Sequence, residues 1–572
     1  MLLSNFNPLA TAPGGVARLR ELILTLAVQG KLVPQDPKDE PASALLKKIR
    51  AEKDRLIAEG KIKRDKPLTE IGEEEKPFGL PEIWELVRLN ELLPEFQNGA
   101  SSRGDVGGKS VTVLRLADIK NRRISLADTR QIPIAERDIL KYHVRVGDIL
   151  ITRVNGSADI VGQFNLCKAA VDAIYCDHFI RMRVSNQWIE PTFLALVSES
   201  SLVRRRIKEL FITTAGQKTV NQGHIGSLQF GLPPLAEQSR IVTRVEELMR
   251  VCDALEAKGK LEAAEHTRLI STLLGTLTDS DTSEALAENW QRIAAHFDLL
   301  LDRPQAIDAF EQTFLQLAVR GLLVPQDPSD EPANVLLEKI RAEKNRLILG
   351  GKIKRDKPLA EIAKEEKPFE LPAGWAWGRF GDLALISSGV TLGRKTAIAS
   401  SILLPYLRVA NVQRWHLNLA SLKQLIIDST ELERFQLLNG DLLITEGGDW
   451  DKVGRTTIWR DELPRCLHQN HIFKARGTSL DWNPVWAELY LNSTIARTYF
   501  ASSAKQTTNL ASINMTQLKN CVFSVPPLAE QSRIVIRVEE LRRLCADLRQ
   551  RLAASQTTQA YLAKVLVESV VI

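Results

Sequence analysis

At 572 residues, 44% hydrophobic and 26% charged, the chain can bury several cores, and its length suggests three or four units. No run approaches 18 apolar residues, and the opening MLLSNFNPLATAPGG lacks the charged start and long apolar stretch of a signal peptide, so a cytoplasmic protein is expected. The six cysteines are scattered without a C-x-x-C, which argues against zinc and a disulfide framework, and the net charge of +6 is modest.

The first segment, residues 1–84, reads as helical. Its stretch from Leu26, LAVQGKLVPQDPKDEPASALLKKIRAEKDRL, returns from Leu317 as LAVRGLLVPQDPSDEPANVLLEKIRAEKNRL, an offset of 317 minus 26, or 291. The likeness runs through GKIKRDKPL to Trp84 and Trp375 and then fades. Leu45, Ile49 and Leu56 fall on one helix face, which Gly60 and its copy Gly351 punctuate.

Residues 85–232 differ in kind. VTVLRLADI, VGDILITRV and HFIRMRV are short β-rich runs between Gly, Asn and Asp turns, followed by the helical patch PTFLALVSESSLVRRRIKEL. They predict a compact α+β domain of about 150 residues. The interval from Asn90 to Leu232 holds 19 Lys and Arg against 14 Asp and Glu, a balance of +5.

At Pro233 the word PPLAEQSRIV opens the central segment, 233–375, and it recurs unchanged at Pro526, an offset of 293. Such repetition marks a tandem duplication. After the Pro-Pro stop, apolar residues step by 4, 3, 4, 3 through Ile241, Val245, Leu248, Cys252 and Leu255, and again through Ile534, Val538, Leu541, Cys545 and Leu548. That is a heptad seam, and a helix carrying it needs a partner.

The interval 376–525 repeats the β-rich style in LPYLRVANV and GDLLITEG, with 16 Lys and Arg against 12 Asp and Glu from Trp377 to Val525, a balance of +4. The rest of the chain sums to −3, so the positive charge sits in the two divergent intervals, which suits contact with a polyanion such as DNA. Gly147-Asp148 aligns with Gly440-Asp441, His178 with His471 and Asn221 with Asn514, all 293 apart, so the two domains share a fold and differ in surface. The final segment, 526–572, reads as one helix of about 43 residues, about 65 Å long. The N-terminal piece matches the second half of the central piece and the C-terminal piece matches its first half. The first and last segments are therefore expected to pack together into a copy of the central unit, giving a pseudo-two-fold α+β body.

LPAGWAWGRFGDLALISSGVTLG, LPYLRVANVQRW, GDLLITEGG, PPLAEQSRIVIRVEEL and GKLVPQDPKDEPASALLKKIRAEKDRL together resemble the specificity subunit of type I restriction-modification systems over nearly the whole chain. The resemblance implies two target-recognition domains that each read one half of a bipartite DNA site, separated by long antiparallel coiled-coil helices. It also implies a chain without catalysis of its own. Two adenine methyltransferase subunits and the restriction subunits are its implied partners, and S-adenosylmethionine, ATP and Mg belong to them. The first 25 residues have no clear counterpart in the family pattern. A bipartite DNA-binding scaffold uncoupled from methylation and an enzyme whose motif is not readable in the sequence are the other readings.

Nothing on the chain points to a catalytic site. No G-x-x-x-x-G-K-[ST], no Asn-Pro-Pro-Tyr word and no G-x-G-x-x-G after a strand occurs. Cys466, His468 and His471 in CLHQNH lie close together, but without a second ligand pair they read as a polar turn, and no metal is expected. DNA readers carry Arg and Lys for guanine and phosphate and Asn and Gln for adenine. On that basis the candidates in the first domain are Gln97, Arg103, Lys109, Arg153, Asn155, Gln217 and Lys218. In the second they are Thr391, Arg394, Lys395, Trp450, Lys452, Arg455, Lys505, Gln506 and Asn509. Asn221 and Asn514, common to both copies, are expected to bond their own backbone or a phosphate.

Overall fold

The computed structural model describes residues 12–63, 79–101, 108–120, 122–214, 216–280, 282–393, 401–448, 452–506 and 511–571. The chain divides into two compact units, residues 1–262 with 555–572, and residues 263–554. Each unit joins a helical scaffold to one mixed domain.

The strand that opens each divergent interval pairs with the strand that closes it. Glu85–Arg88 runs antiparallel to Gln229–Leu232, and Ala376–Arg379 runs antiparallel to Val522–Val525. Entry and exit thus share one two-stranded base. Beyond it, each domain holds a four-stranded antiparallel sheet, in the order 95–98, 179–183, 149–152, 164–166 in the first and 384–388, 472–477, 442–445, 456–458 in the second. ILIT at Ile149–Thr152 and LLIT at Leu442–Thr445 are buried at every position, which explains their unbroken apolar character. Gly147 at φ 89° and Gly440 at φ 87° turn the chain into these strands. Asp148 and Asp441 then accept the backbone N–H of Arg145 and Leu438 and a two-pronged bond from Arg183 and Arg476. A second sheet, 174–175, 109–114, 130–134, is matched by 467–468, 401–407, 423–428.

Two helices of 44 residues, Leu235–Thr278 and Leu528–Val571, start straight after the repeated Pro-Pro. In the first unit Ile241, Val245 and Cys252 are buried in one core with Leu19 and Ile23 of helix Gly15–Val28, Leu45 and Ile49 of helix Ala42–Ala58, and Ala563 from the last turns of the second long helix. In the second unit Ile534, Val538, Leu541 and Cys545 share a core with Phe310 and Phe314 of helix Pro304–Arg320, Leu336 and Ile340 of helix Ala333–Leu349, and Ile270 and Leu274 from the last turns of the first long helix. Each unit therefore combines the opening of one long helix with the end of the other, so the first and last chain segments do share a core. Leu248, Leu255 and Leu548 are half-buried.

The seams face short helices within their own units. Arg20 of helix Gly15–Val28 reaches Asp253 at 2.6 Å, and Arg549 reaches Asp308 at 2.6 Å and Glu311 at 2.8 Å on helix Pro304–Arg320. Of the first 25 residues, those from Gly15 on, which open helix Gly15–Val28, also have a counterpart inside the chain. Leu19 and Ile23 stand 291 residues before Phe310 and Phe314 and bury the same helix face, although the letters differ. Among the described residues no helix is long and apolar enough to cross a membrane.

Candidate nucleic-acid interface

The repeated word is a hub that fixes each domain to its scaffold. Glu237 is buried and accepts Trp84 Nε1 at 3.0 Å and Gln35 Nε2 at 2.7 Å; Glu530 accepts Trp375 Nε1 at 3.0 Å and Gln326 Nε2 at 3.3 Å. Gln238 donates to Pro233 O and Gln531 to Pro526 O, satisfying carbonyls left where the strand stops. Arg240 pairs with Asp39 and Arg533 with Asp330. The buried glutamate of each word thus meets letters of the other repeated phrases, QDPKD and LPEIW or QDPSD and LPAGW. Burial pushes both glutamate carboxyls above their ordinary range, while the Trp and Gln donors pull the other way.

Away from this hub each domain presents a third, smaller sheet. In the first domain strand 217–219 lies between 212–214 and 154–155; in the second, strand 511–512 lies between 505–506 and 447–448. The two sheets correspond at the offset of 293, yet VN becomes GG, IT becomes KQ and KT becomes AS. Gly99 and Gly389 bring a further turn alongside. A Cβ on Gly99 would lie 2.0 Å from Cys176 O, and one on Gly389 2.0 Å from His468 O. The next residues form matched parallel bridges, Ala100 with Cys176 and Val390 with Gln469.

The small sheet gathers most of the first domain's candidates. Asn155 pairs with Lys218 across it, Lys218 Nζ donates to Gly156 O at 3.0 Å, and Gln217 is exposed at its hairpin turn. Arg153 precedes the strand and donates from Nη1 to Asp177 O at 3.5 Å. Gln97 lies on strand 95–98, tied to this edge by Gln222 Nε2 donating to Asn98 Oδ1 at 3.1 Å. Lys109 is not brought there; it opens strand 109–114 in a different sheet. Asn221 and Asn514 each cap a short helix, accepting the N–H of His224 at 2.8 Å and Gln517 at 2.9 Å.

In the second domain Lys505 and Gln506 form one strand of the small sheet. Lys452 and Arg455 lie in a turn anchored on Thr445, whose Oγ1 donates to Lys452 O and accepts Arg455 N, both at 3.0 Å. Arg455 Nη1 also donates to Gln413 Oε1 at 2.6 Å. Thr391 is exposed beside the Val390 bridge. Arg103, Arg394, Lys395, Trp450 and Asn509 lie outside the described residues.

Charge-bearing groups that the composition rule passed over also stand here. Glu446 occupies the position matched to Arg153 and pairs with His471 Nδ1 at 2.6 Å; the fixed offset of 293 was the available signal. His468, fully buried, bonds Phe435 O through Nδ1 at 3.2 Å, and burial beside Lys474 lowers its pKa to about 3. Burial likewise lowers Lys474 to about 8. Cys466 turns its thiol to Leu467 O, so Cys466, His468 and His471 of CLHQNH each meet a separate partner. Among the described residues the trio whose donor atoms approach closely enough for a metal is Cys176, Asp177 and His178, within 4.8 Å of one another. The second domain has Gln469, Asn470 and His471 there, so the trio is no part of the shared frame.

Residues 81–266 match the family model described as the type I restriction modification DNA specificity domain. The chain belongs to the family of type I restriction enzyme specificity subunits, the DNA-recognition and non-catalytic members of restriction-modification systems. It is 36% identical to the EcoAI specificity subunit of Escherichia coli and 34% identical to the EcoEI specificity subunit, also of Escherichia coli. Both likenesses cover 97% of this chain and 94% of the relative. The crystal structure of the HsdS subunit from Thermoanaerobacter tengcongensis is 18% identical, covering 86% of this chain and 98% of that one at a TM-score of 0.42.

Proposed function

We propose that each mixed domain reads one half of a bipartite DNA site along the edge that carries its small sheet. The scaffold words around Glu237 and Glu530 dock two adenine methyltransferase subunits, and restriction subunits complete the complex in the cytoplasm. S-adenosylmethionine, ATP and Mg act on those partners. The observation that carries this reading is the preserved small sheet, whose backbone pairing matches at a fixed offset while its side chains are replaced. A shared frame with exchanged side chains is what two readers of different bases require.

Exchanging residues 85–232 for the equivalent interval of a relative tests it. The base strands 85–88 and 229–232 pair with each other, so the exchange crosses the scaffold at one place. Methylome sequencing of a host carrying the complete system should show one half-site changed and the other kept. A swap that alters both halves, in a protein that still binds its methyltransferase, overturns the assignment of one domain to one half-site.

A further inference from the structure

The backbone at residues 153 and 446 is pinned in the same way. Arg153 N donates to His178 O at 2.8 Å and Arg153 O accepts Val220 N at 3.0 Å. Glu446 N donates to His471 O at 3.0 Å and Glu446 O accepts Ile513 N at 2.9 Å. Both partners correspond at the offset of 293. Each residue bridges a core strand, 149–152 or 442–445, and a strand of the small sheet, 154–155 or 447–448. The frame is the same in both domains, and the side chains on it carry opposite charge.

Both side chains keep hydrogen-bonding capacity in reserve. Among the described residues Arg153 uses Nη1 alone, on Asp177 O. Glu446, its side chain 30% exposed, commits Oε2 to His471, and its Oε1 has no partner among the described residues. A free carboxylate oxygen on a domain of net positive charge gains nothing from phosphate; it can be used only against a donor. In the major groove the donors are the amino groups of cytosine and adenine, and carboxylates pair with cytosine N4, whereas Arg pairs with guanine O6 and N7.

We propose that residues 153 and 446 are matched specificity-determining positions. Glu446, oriented by His471, accepts from the amino group of a cytosine in the second half-site, and Arg153 donates to a guanine in the first. The inference rests on the small-sheet edge being the DNA-facing edge.

The test uses the full chain with its methyltransferase subunit, on duplexes carrying the site found by methylome sequencing, with each base pair of each half-site permuted in turn. The wild-type chain discriminates at every position of its site. Glu446→Ala and Glu446→Gln should each lose discrimination at one C·G pair of the second half-site, by about ten- to a hundredfold, and keep it elsewhere. Arg153→Ala should do the same at one G·C pair of the first. Variants that still discriminate everywhere, or that slow methylation equally on all duplexes, overturn the proposal. Should Glu446→Ala fail to assemble, Glu446→Gln decides, since it is isosteric and keeps an oxygen for His471. If exchanging residues 376–525 leaves the second half-site unchanged, the one-domain, one-half-site reading fails. If that exchange moves the half-site while Glu446→Gln still discriminates everywhere, only the assignment of Glu446 fails.

Discussion

The hubs around Glu237 and Glu530 are the same residue for residue, whereas the small-sheet edges of the two domains differ at nearly every side chain. Both are polar regions, so polarity alone does not decide which repeats. Burial does. Removing Gln35, Trp84 or Glu237 leaves a buried donor or acceptor unmet, at a cost of about 1–3 kcal/mol each. At the small sheet the frame consists of backbone pairs, and Ile212, Thr213, Gln217, Lys505 and Ser512 are exposed, so those positions are free to diverge. The duplication kept what is mutually satisfied inside and varied what is presented outside.

The harshest way to break the comparison is at Gly99 and Gly389. A methyl group there would sit 2.0 Å from a backbone oxygen in either domain, and no flexible side chain can yield. Gly99→Ala and Gly389→Ala should each cost on the order of 3–5 kcal/mol. Each loss should be confined to its own domain, read as lost hydrogen-exchange protection around Cys176 or around His468. Tolerance of either substitution within about 1 kcal/mol would show that the turns are not held together as a common element.

Acid should separate the units next. The position matched to Tyr175 is His468, and both are buried. Burial and the neighbouring Lys474 lower the His468 pKa from 6.5 to about 3, so between those values the unfolded chain binds a proton that the folded one refuses. The stability from a neutral His468 is thus complete above pH 6.5 and is lost as pH falls toward 3, by about 4–5 kcal/mol at most. Burial pushes the Tyr175 hydroxyl upward, so it is silent in acid. Hydrogen exchange measured down that range should show an extra acid loss in the second unit, and His468→Tyr should flatten it.

The repeats, the β-rich intervals and the long helices were legible because each follows from local periodicity or from copied letters. The paired base strands fall at 85–88 and 229–232, where the copied words fade and resume. The partners of the copied words were not legible. Nothing local says that Glu237 meets Trp84, 153 residues away, or that the heptad seam through Ile241 and Val245 meets helix Gly15–Val28, whose letters differ from its counterpart Ala306–Val319. Such pairing depends on contacts distant in sequence. Among the site candidates, residue type favours cations and amides, which points to Lys109 although it sits in another sheet and not to Glu446 although its backbone matches that of Arg153.

The finest contrast lies where each domain meets its own long helix. Arg122 and Trp415, 293 residues apart, both adopt the left-handed region, at φ 60° and 68°. The Arg542 guanidinium lies 3.6 Å from the centre of the Trp415 ring and 3.3 Å from Glu311, so the second domain is stacked on its helix. In the first unit the cation stands on the domain side: Arg122 pairs with Glu199, the matched helix residue is Met249, and a cleft of about 990 Å³ lined by Arg20, Arg122, Lys168 and Met249 lies between them. Burial and nearby Arg204 lower the Arg122 pKa to about 10, so its charge is less well compensated there. Trp415→Ala should therefore destabilise the second unit by about 1–3 kcal/mol, combining a desolvated cation–π contact with lost aromatic burial, while Arg122→Ala should cost the first unit less than about 1 kcal/mol. Trp415→Phe, which keeps a ring over Arg542, should recover part of the loss. Equal effects of the two alanine substitutions on local exchange rates would mean that the stack does not hold the second domain more firmly than the ion pair holds the first.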